Sequence, residues 1–356
     1  MKSWLSWTIL ALAVMGAPGR GQADGYVDTH AHLVESGTGV FAGSLLGAAD
    51  AAVKEMDRLG YAKAILMPTP QIYRGTSNHD FEAFKEVQQK HPGRFAVLGG
   101  GYLLNALIHK SVADGRVDED DRKLFIRNAE MILASGAVGF GELAAEHYSI
   151  GKFAAFHAYE SAPPDHELFL LLADIAAQHD VPIDLHAEIL PQDMPLPATP
   201  ALISPPNPAQ LKANLAGFER LLAHNRKAKI IWVHAGWDLS GTRDLGLMTR
   251  LMRTHPNLYM SFKIAGKPGA PKSKPLGPDG RLKPEWLGFI QEFSDRLLIG
   301  TDEFYQAASV NRVDITTAAG LTELPVRLVQ QLPPELGRKI GYENAMRLYK
   351  LGPTSN

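Results

Sequence analysis

The chain has 356 residues, 45% hydrophobic and 21% charged, which suits a packed core and excludes a disordered chain. Basic and acidic residues nearly balance, 36 against 38, for a formal charge of -2, so no bulk electrostatic partner such as nucleic acid is expected. Cysteine is absent. That excludes disulfide frameworks, thiolate nucleophiles, cysteine-bound zinc and iron–sulfur clusters, and leaves His nitrogens and carboxylate oxygens to build any metal site.

The first residues read as an export signal. Lys2 gives a positive start, Trp4 to Met15 is almost wholly apolar, and Gly16, Pro18 and Gly19 break the run. Gly21-Gln22-Ala23 offers small residues for cleavage after Ala23. The apolar run is shorter than the roughly 20 residues that span a bilayer. The expectation is a signal peptide over 1–23 and one globular domain over 24–356, exported to the periplasm or secreted, with no stable membrane span after cleavage.

Short apolar runs then recur along the chain, at 26–33, 62–68, 95–103, 137–143, 181–188, 229–236, 257–263 and 296–304. Such runs read as buried parallel strands. Helical patterns lie between them at 48–59, 119–135, 165–179, 208–225, 243–255 and 284–294; Gly136 suits a C-cap and Pro208 a first turn. Repeated strand–helix units without a composition break predict an α/β fold, a (β/α)8 TIM barrel in a single domain. An open doubly wound sheet is weaker, because no Gly-rich dinucleotide fingerprint follows the first strand. Long connections follow strands four (144–164), five (189–207) and seven (264–283). In a barrel they would wall the C-terminal face, where active sites lie.

Strand one reads Val27-Asp28-Thr29-His30-Ala31-His32, so His30 and His32 share a face. Alone, such a triplet carries little. Four further strands end in a metal-capable side chain: Glu142 after Gly139-Phe140-Gly141, His186 in Asp184-Leu185-His186-Ala187-Glu188, His234 in Trp232-Val233-His234-Ala235-Gly236, and Asp302 in Gly300-Thr301-Asp302-Glu303. Burying a polar group without a partner costs roughly 1–3 kcal/mol, and more if it is charged. A chain that does so at the same end of several strands is expected to give these groups a common partner, and a divalent cation satisfies them all.

On these residues the sequence resembles the amidohydrolase superfamily of metal-dependent barrel enzymes, from about Tyr26 to Tyr349. It is most similar to the amidohydrolase-related branch, which includes lactonases and decarboxylases; strand four is also similar to that of the TatD-type nucleases. Asn344-Ala345-Met346-Arg347-Leu348-Tyr349 is similar to the closing helix common in these enzymes. The resemblance implies that His30 and His32 bind the more buried metal and that Asp302 binds it and shuttles the proton. His186 and His234 would serve a second metal, and Glu142 would bridge the two where relatives use a carboxylate or a carboxylated lysine. Neither neighbour, Phe140 or Leu143, is lysine, so the carboxylate is expected.

Imidazole and carboxylate suit zinc and allow manganese, iron or nickel. Two ions per chain are favoured over one, since Glu142 would otherwise be a buried unpaired carboxylate. With a single ion, His234 would instead hydrogen-bond the attacking water. An ion so held brings water to a pKa of about 7 and supplies hydroxide at neutral pH, with Asp302 as proton acceptor. Lys263, at the end of strand seven, is a counter-charge for a substrate anion or the partner of Glu188. Glu188 could instead orient His186. Trp237 and Asp238 would line the mouth, and Asp28 would support strand one. His147 and His157 read as surface residues of the loop after strand four. Lys267, Lys272, Lys274, Arg281 and Lys283 read as a solvated loop rather than an anion-attracting rim.

The reading is an exported hydrolase of a small ester, lactone or amide, possible as a homo-oligomer. The alternatives are a one-metal decarboxylase or hydratase, a TatD-like phosphodiesterase, and a metal-stabilised binding protein.

Overall fold

Tyr26–Leu33 forms strand one and is buried along its whole length. It begins the described part of a computed structural model that covers residues 25–34, 44–72, 80–150, 159–199, 202, 207–264, 271–307 and 322–352. The expected export signal, His157, Lys267 and parts of the three long loops lie outside these residues. Among the described residues no helix is long and apolar enough to cross a membrane.

The remaining strands are Tyr61–Leu66 (two), Phe95–Val97 with Gly99–Gly100 (three), Phe140–His147 (four), Pro182–Ala187 (five), Lys229–Ala235 (six), Leu258–Phe262 (seven) and Leu297–Ile299 with Glu303–Tyr305 (eight). Each pairs in parallel with the next. Strand eight closes the ring on strand one through Ala31–Glu303 and Leu33–Tyr305. The result is the expected TIM barrel.

Near the N-terminal ends of the strands the interior is apolar. Val27, Ile65, Leu98, Ile231, Tyr259 and Leu298 pack with Ala345, Leu348 and Tyr349 of the closing helix. A second, larger apolar layer joins strands to helices, with Phe140, Phe218, Phe262 and Trp286 fully buried in it. Polar side chains are thereby gathered at the other end of the barrel.

Several boundaries depart from the sequence expectation. Strand four starts later and runs on to His147, where it pairs antiparallel with Glu160–Ser161. Strand three stops early, because helix Leu103–Asp114 starts where the apolar run still reads as strand. The Asp80 carboxylate accepts from the backbone N–H groups of Gly100, Tyr102 and Leu103. It caps that helix from more than twenty residues away, which no local pattern reveals. The helix expected from Pro208 begins at Leu215 instead. Gln210–Leu211 pairs antiparallel with Met194–Pro195, and the Asn214 side chain holds Leu190 N and Glu188 O.

Candidate metal centre

Four of the eight strands and the break in a fifth bring six side chains together at the C-terminal end of the barrel. His30 and His32 come from strand one, Glu142 from strand four, His186 from strand five, His234 from strand six and Asp302 from the gap in strand eight. All are buried. Gly300 lets strand eight approach, since a Cβ there would lie 2.9 Å from that of His30.

The ligating atoms form two groups. In the first, His30 Nε2 lies 3.2 Å from His32 Nε2, and both lie 3.1–3.5 Å from Glu142 Oε2 and Asp302 Oδ1. The edge of a tetrahedron with bonds of about 2.0–2.1 Å is about 3.3 Å, so these separations fit one small divalent cation. In the second, His186 Nδ1 lies 3.0 Å and His234 Nε2 3.3 Å from Glu142 Oε1, and the two nitrogens are 3.1 Å apart. Each oxygen of Glu142 therefore faces a different group.

Neighbours fix the imidazoles of strand one. His30 Nδ1 donates to Asp184, 3.2 Å away, and His32 Nδ1 to Met67 O at 2.9 Å. Both Nε2 atoms are thereby turned toward the cluster. Burial would raise Glu142 and Asp302, but their neighbours win and hold both well below the ordinary carboxylate range: His30 together with hydrogen bonds from His186 and His234 around Glu142, and Lys263 foremost around Asp302. Burial keeps His186 and His234 below the ordinary imidazole value, so their lone pairs are available.

His234 and Asp302 share a backbone feature. Their φ angles are 64° and 51°, in the left-handed region that costs a non-glycine residue about 1–2 kcal/mol. Strain of this kind concentrates at functional sites.

Lys263 pairs with Asp302 Oδ2, not with Glu188 as one sequence reading had it, and its ammonium lies 3.0 Å from the centroid of the half-buried Trp237 ring. Glu188 Oε1 is 4.0 Å from His186 Nε2, and burial beside Asp238 pushes its carboxyl up to about 8. Asp28 supports strand one as expected, accepting from His30 N, Thr301 N and Thr301 Oγ1. In the loop after strand seven, Lys272 and Arg281 are exposed, as a solvated loop requires.

Two features escaped the sequence reading. His147 is not a surface residue: strand four carries it inward, 4.6 Å from the His186 ring. Asp184 orients His30, and its signal was available, since it lies two residues before His186 on the same strand.

Behind this layer, burial pushes the Glu146 carboxyl up to about 7, although Ser161 Oγ and Tyr159 OH donate to it. A carboxyl raised in the fold contributes stability that is full below its unfolded value near 4.5 and is lost as pH rises through about 7. Glu146→Gln should therefore match the parent near pH 4 and exceed it by on the order of 2–3 kcal/mol at pH 8. Denaturant unfolding across that range measures the difference.

Ring, buried cluster and shared carboxylate define a metal-site barrel, and comparison with known proteins gives the family. The family model described as amidohydrolase matches residues 135–351, and the chain belongs to that family. It is an enzyme family, and the site is one of metal-dependent hydrolases and lyases. A probable 2-pyrone-4,6-dicarboxylic acid hydrolase from Acinetobacter baumannii, crystallised with citric acid, is 12% identical, with 92% of this chain and 99% of that one covered and a TM-score of 0.50. An amidohydrolase II structure is 14% identical over 91% and 99% of the chains with a TM-score of 0.44. The corresponding values for a dipeptidase described as a metallopeptidase are 14%, 94%, 100% and 0.43. No curated protein matches the chain.

Proposed function

We propose that the protein is an exported hydrolase with two divalent ions, zinc by preference, acting on a small ester, lactone or amide. The observation that carries this reading is Glu142, whose two oxygens face two separate ligand groups. A carboxylate so placed suits two ions, which a one-metal decarboxylase or hydratase does not require.

His30, His32, Glu142 Oε2 and Asp302 Oδ1 would hold one ion, and Glu142 Oε1, His186 and His234 the other. Ions held there supply Lewis acidity and hydroxide at neutral pH. Asp302 Oδ2, the oxygen outside the four-atom group, accepts the proton and returns it to the leaving group. Lys263 beside that oxygen keeps the carboxylate ionised until then. His234 Nε2, 3.8 Å from Asp302 Oδ2, completes the polar wall. Lys263, Trp237 and Glu188 face the substrate. The apolar run near the N-terminus supports export.

Metal analysis of the purified protein, then a screen over lactones, esters, amides and phosphodiesters, tests the reading. Expected are two equivalents of metal per chain, loss of hydrolysis on chelation and its return with zinc. One equivalent with carbon–carbon bond cleavage or hydration would replace the hydrolase with a lyase. Turnover confined to phosphodiesters would replace it with a phosphodiesterase.

A further inference from the structure

Arg243 belongs to neither ligand group, yet it is buried at 3% exposure between the ends of strands five and six. Its Nη2 donates to Ala187 O at 2.9 Å and its Nη1 to Val233 O. Ala187 directly follows His186, and Val233 directly precedes His234. The guanidinium lies 4.0 Å from the centroid of the Trp232 ring, and Trp232 Nε1 donates to the same Ala187 O at 2.7 Å.

The sheet does not do this work itself. Pairing of strand five with strand six ends at Leu185–Trp232, before either histidine. On the other edge of strand six, the register with strand seven breaks between Trp232 and Ala235. His234 then takes its left-handed backbone angle, which regular pairing would not impose. A buried guanidinium is expensive to desolvate, so it needs matching acceptors. Here they are the two carbonyls flanking the histidines.

The loop that carries Arg243 is itself fastened. Asp238 Oδ2 accepts from Arg243 N at 2.9 Å and from Ser273 Oγ at 2.8 Å, and Asp238 Oδ1 accepts from Gly241 N at 2.8 Å. Thr242 Oγ1 donates to Ile189 O at 2.7 Å, tying the same loop to the chain beyond strand five.

We propose that Arg243 is the positioning residue of the second ligand group. Its planar fork replaces the missing rung between strands five and six and so sets the separation of His186 Nδ1 and His234 Nε2. The proposal rests on the reading that this group binds an ion; the experiment separates the two.

Zinc is titrated into the full-length parent, Arg243→Met and Arg243→Lys against a competing chelator, with 15N-histidine spectra recorded through the titration. Resonances are assigned with single histidine variants. In Arg243→Met the first equivalent should bind within about 3-fold of the parent, while the second weakens about 10–100-fold, the usual cost of losing an outer partner of a metal ligand. The His186 and His234 resonances should move, and those of His30 and His32 should stay. Lysine reaches one carbonyl without the fork and should fall between. Equal weakening of both equivalents, or of neither, overturns the proposal. If the parent takes up one equivalent only, the two-ion reading fails, and the spectra decide alone: unmoved His186 and His234 resonances overturn the role of Arg243. If the methionine variant does not fold, the lysine variant carries the same comparison.

Discussion

Asp302→Asn is expected to fold and to lose about 10²–10⁴-fold in kcat, the range assigned to a positioned acid–base group. The substitution keeps the shape and removes the charge. Asn can still offer an oxygen to the ligand group or to Lys263, but it cannot accept a proton. The parent carboxylate is held well below its ordinary range, with Lys263 foremost among the groups that oppose burial, so it is ionised at any working pH. Metal content must be matched between parent and variant, because Asp302 Oδ1 also faces the first ligand group. With equal loading, KM should change little and kcat should carry the loss. A fully loaded variant with the parental kcat would remove Asp302 as proton acceptor.

The second large effect is expected at Glu142. In Glu142→Gln one carboxylate oxygen becomes an amide nitrogen, which cannot face a cation. Whichever group the remaining oxygen serves, the other loses its shared ligand. Metal content should fall from two equivalents to one, and turnover should drop by at least 100-fold, beyond the roughly 10–100-fold cost of removing an outer partner of a metal ligand. Elemental analysis and steady-state kinetics on the same preparation measure both. Two tightly held ions in the variant would show that Glu142 does not bridge.

All six side chains singled out from the sequence meet within the two groups. They were legible because each interrupts or ends a run that is otherwise core, and uncompensated burial of a polar group is costly. Strands six and seven were placed to within a residue or so for a related reason: a fully buried parallel strand is mostly apolar along its length. The failures have equally particular causes. Helix Leu103–Asp114 was missed because its capping carboxylate, Asp80, comes from distant chain. Strand four ran on to His147 because Glu160–Ser161, beyond the following loop, pairs with its end. Lys263 was assigned to Glu188 or a substrate because sequence gives the strand end a residue occupies but not its nearest charge.

By itself, then, the sequence determined the repeating strand–helix architecture, the ligand types available and the end of the barrel that bears them, since periodicity and burial cost are local properties of the chain. The family resemblance already implied how those ligands divide into two groups; only the tertiary structure decided which oxygen of Glu142 each group faces, and that Arg243 bridges the carbonyls beside His186 and His234. These depend on the registers between strands, where they break, and the backbone angles at the breaks. Such quantities arise from contacts between residues far apart in the chain and leave no periodic trace in it.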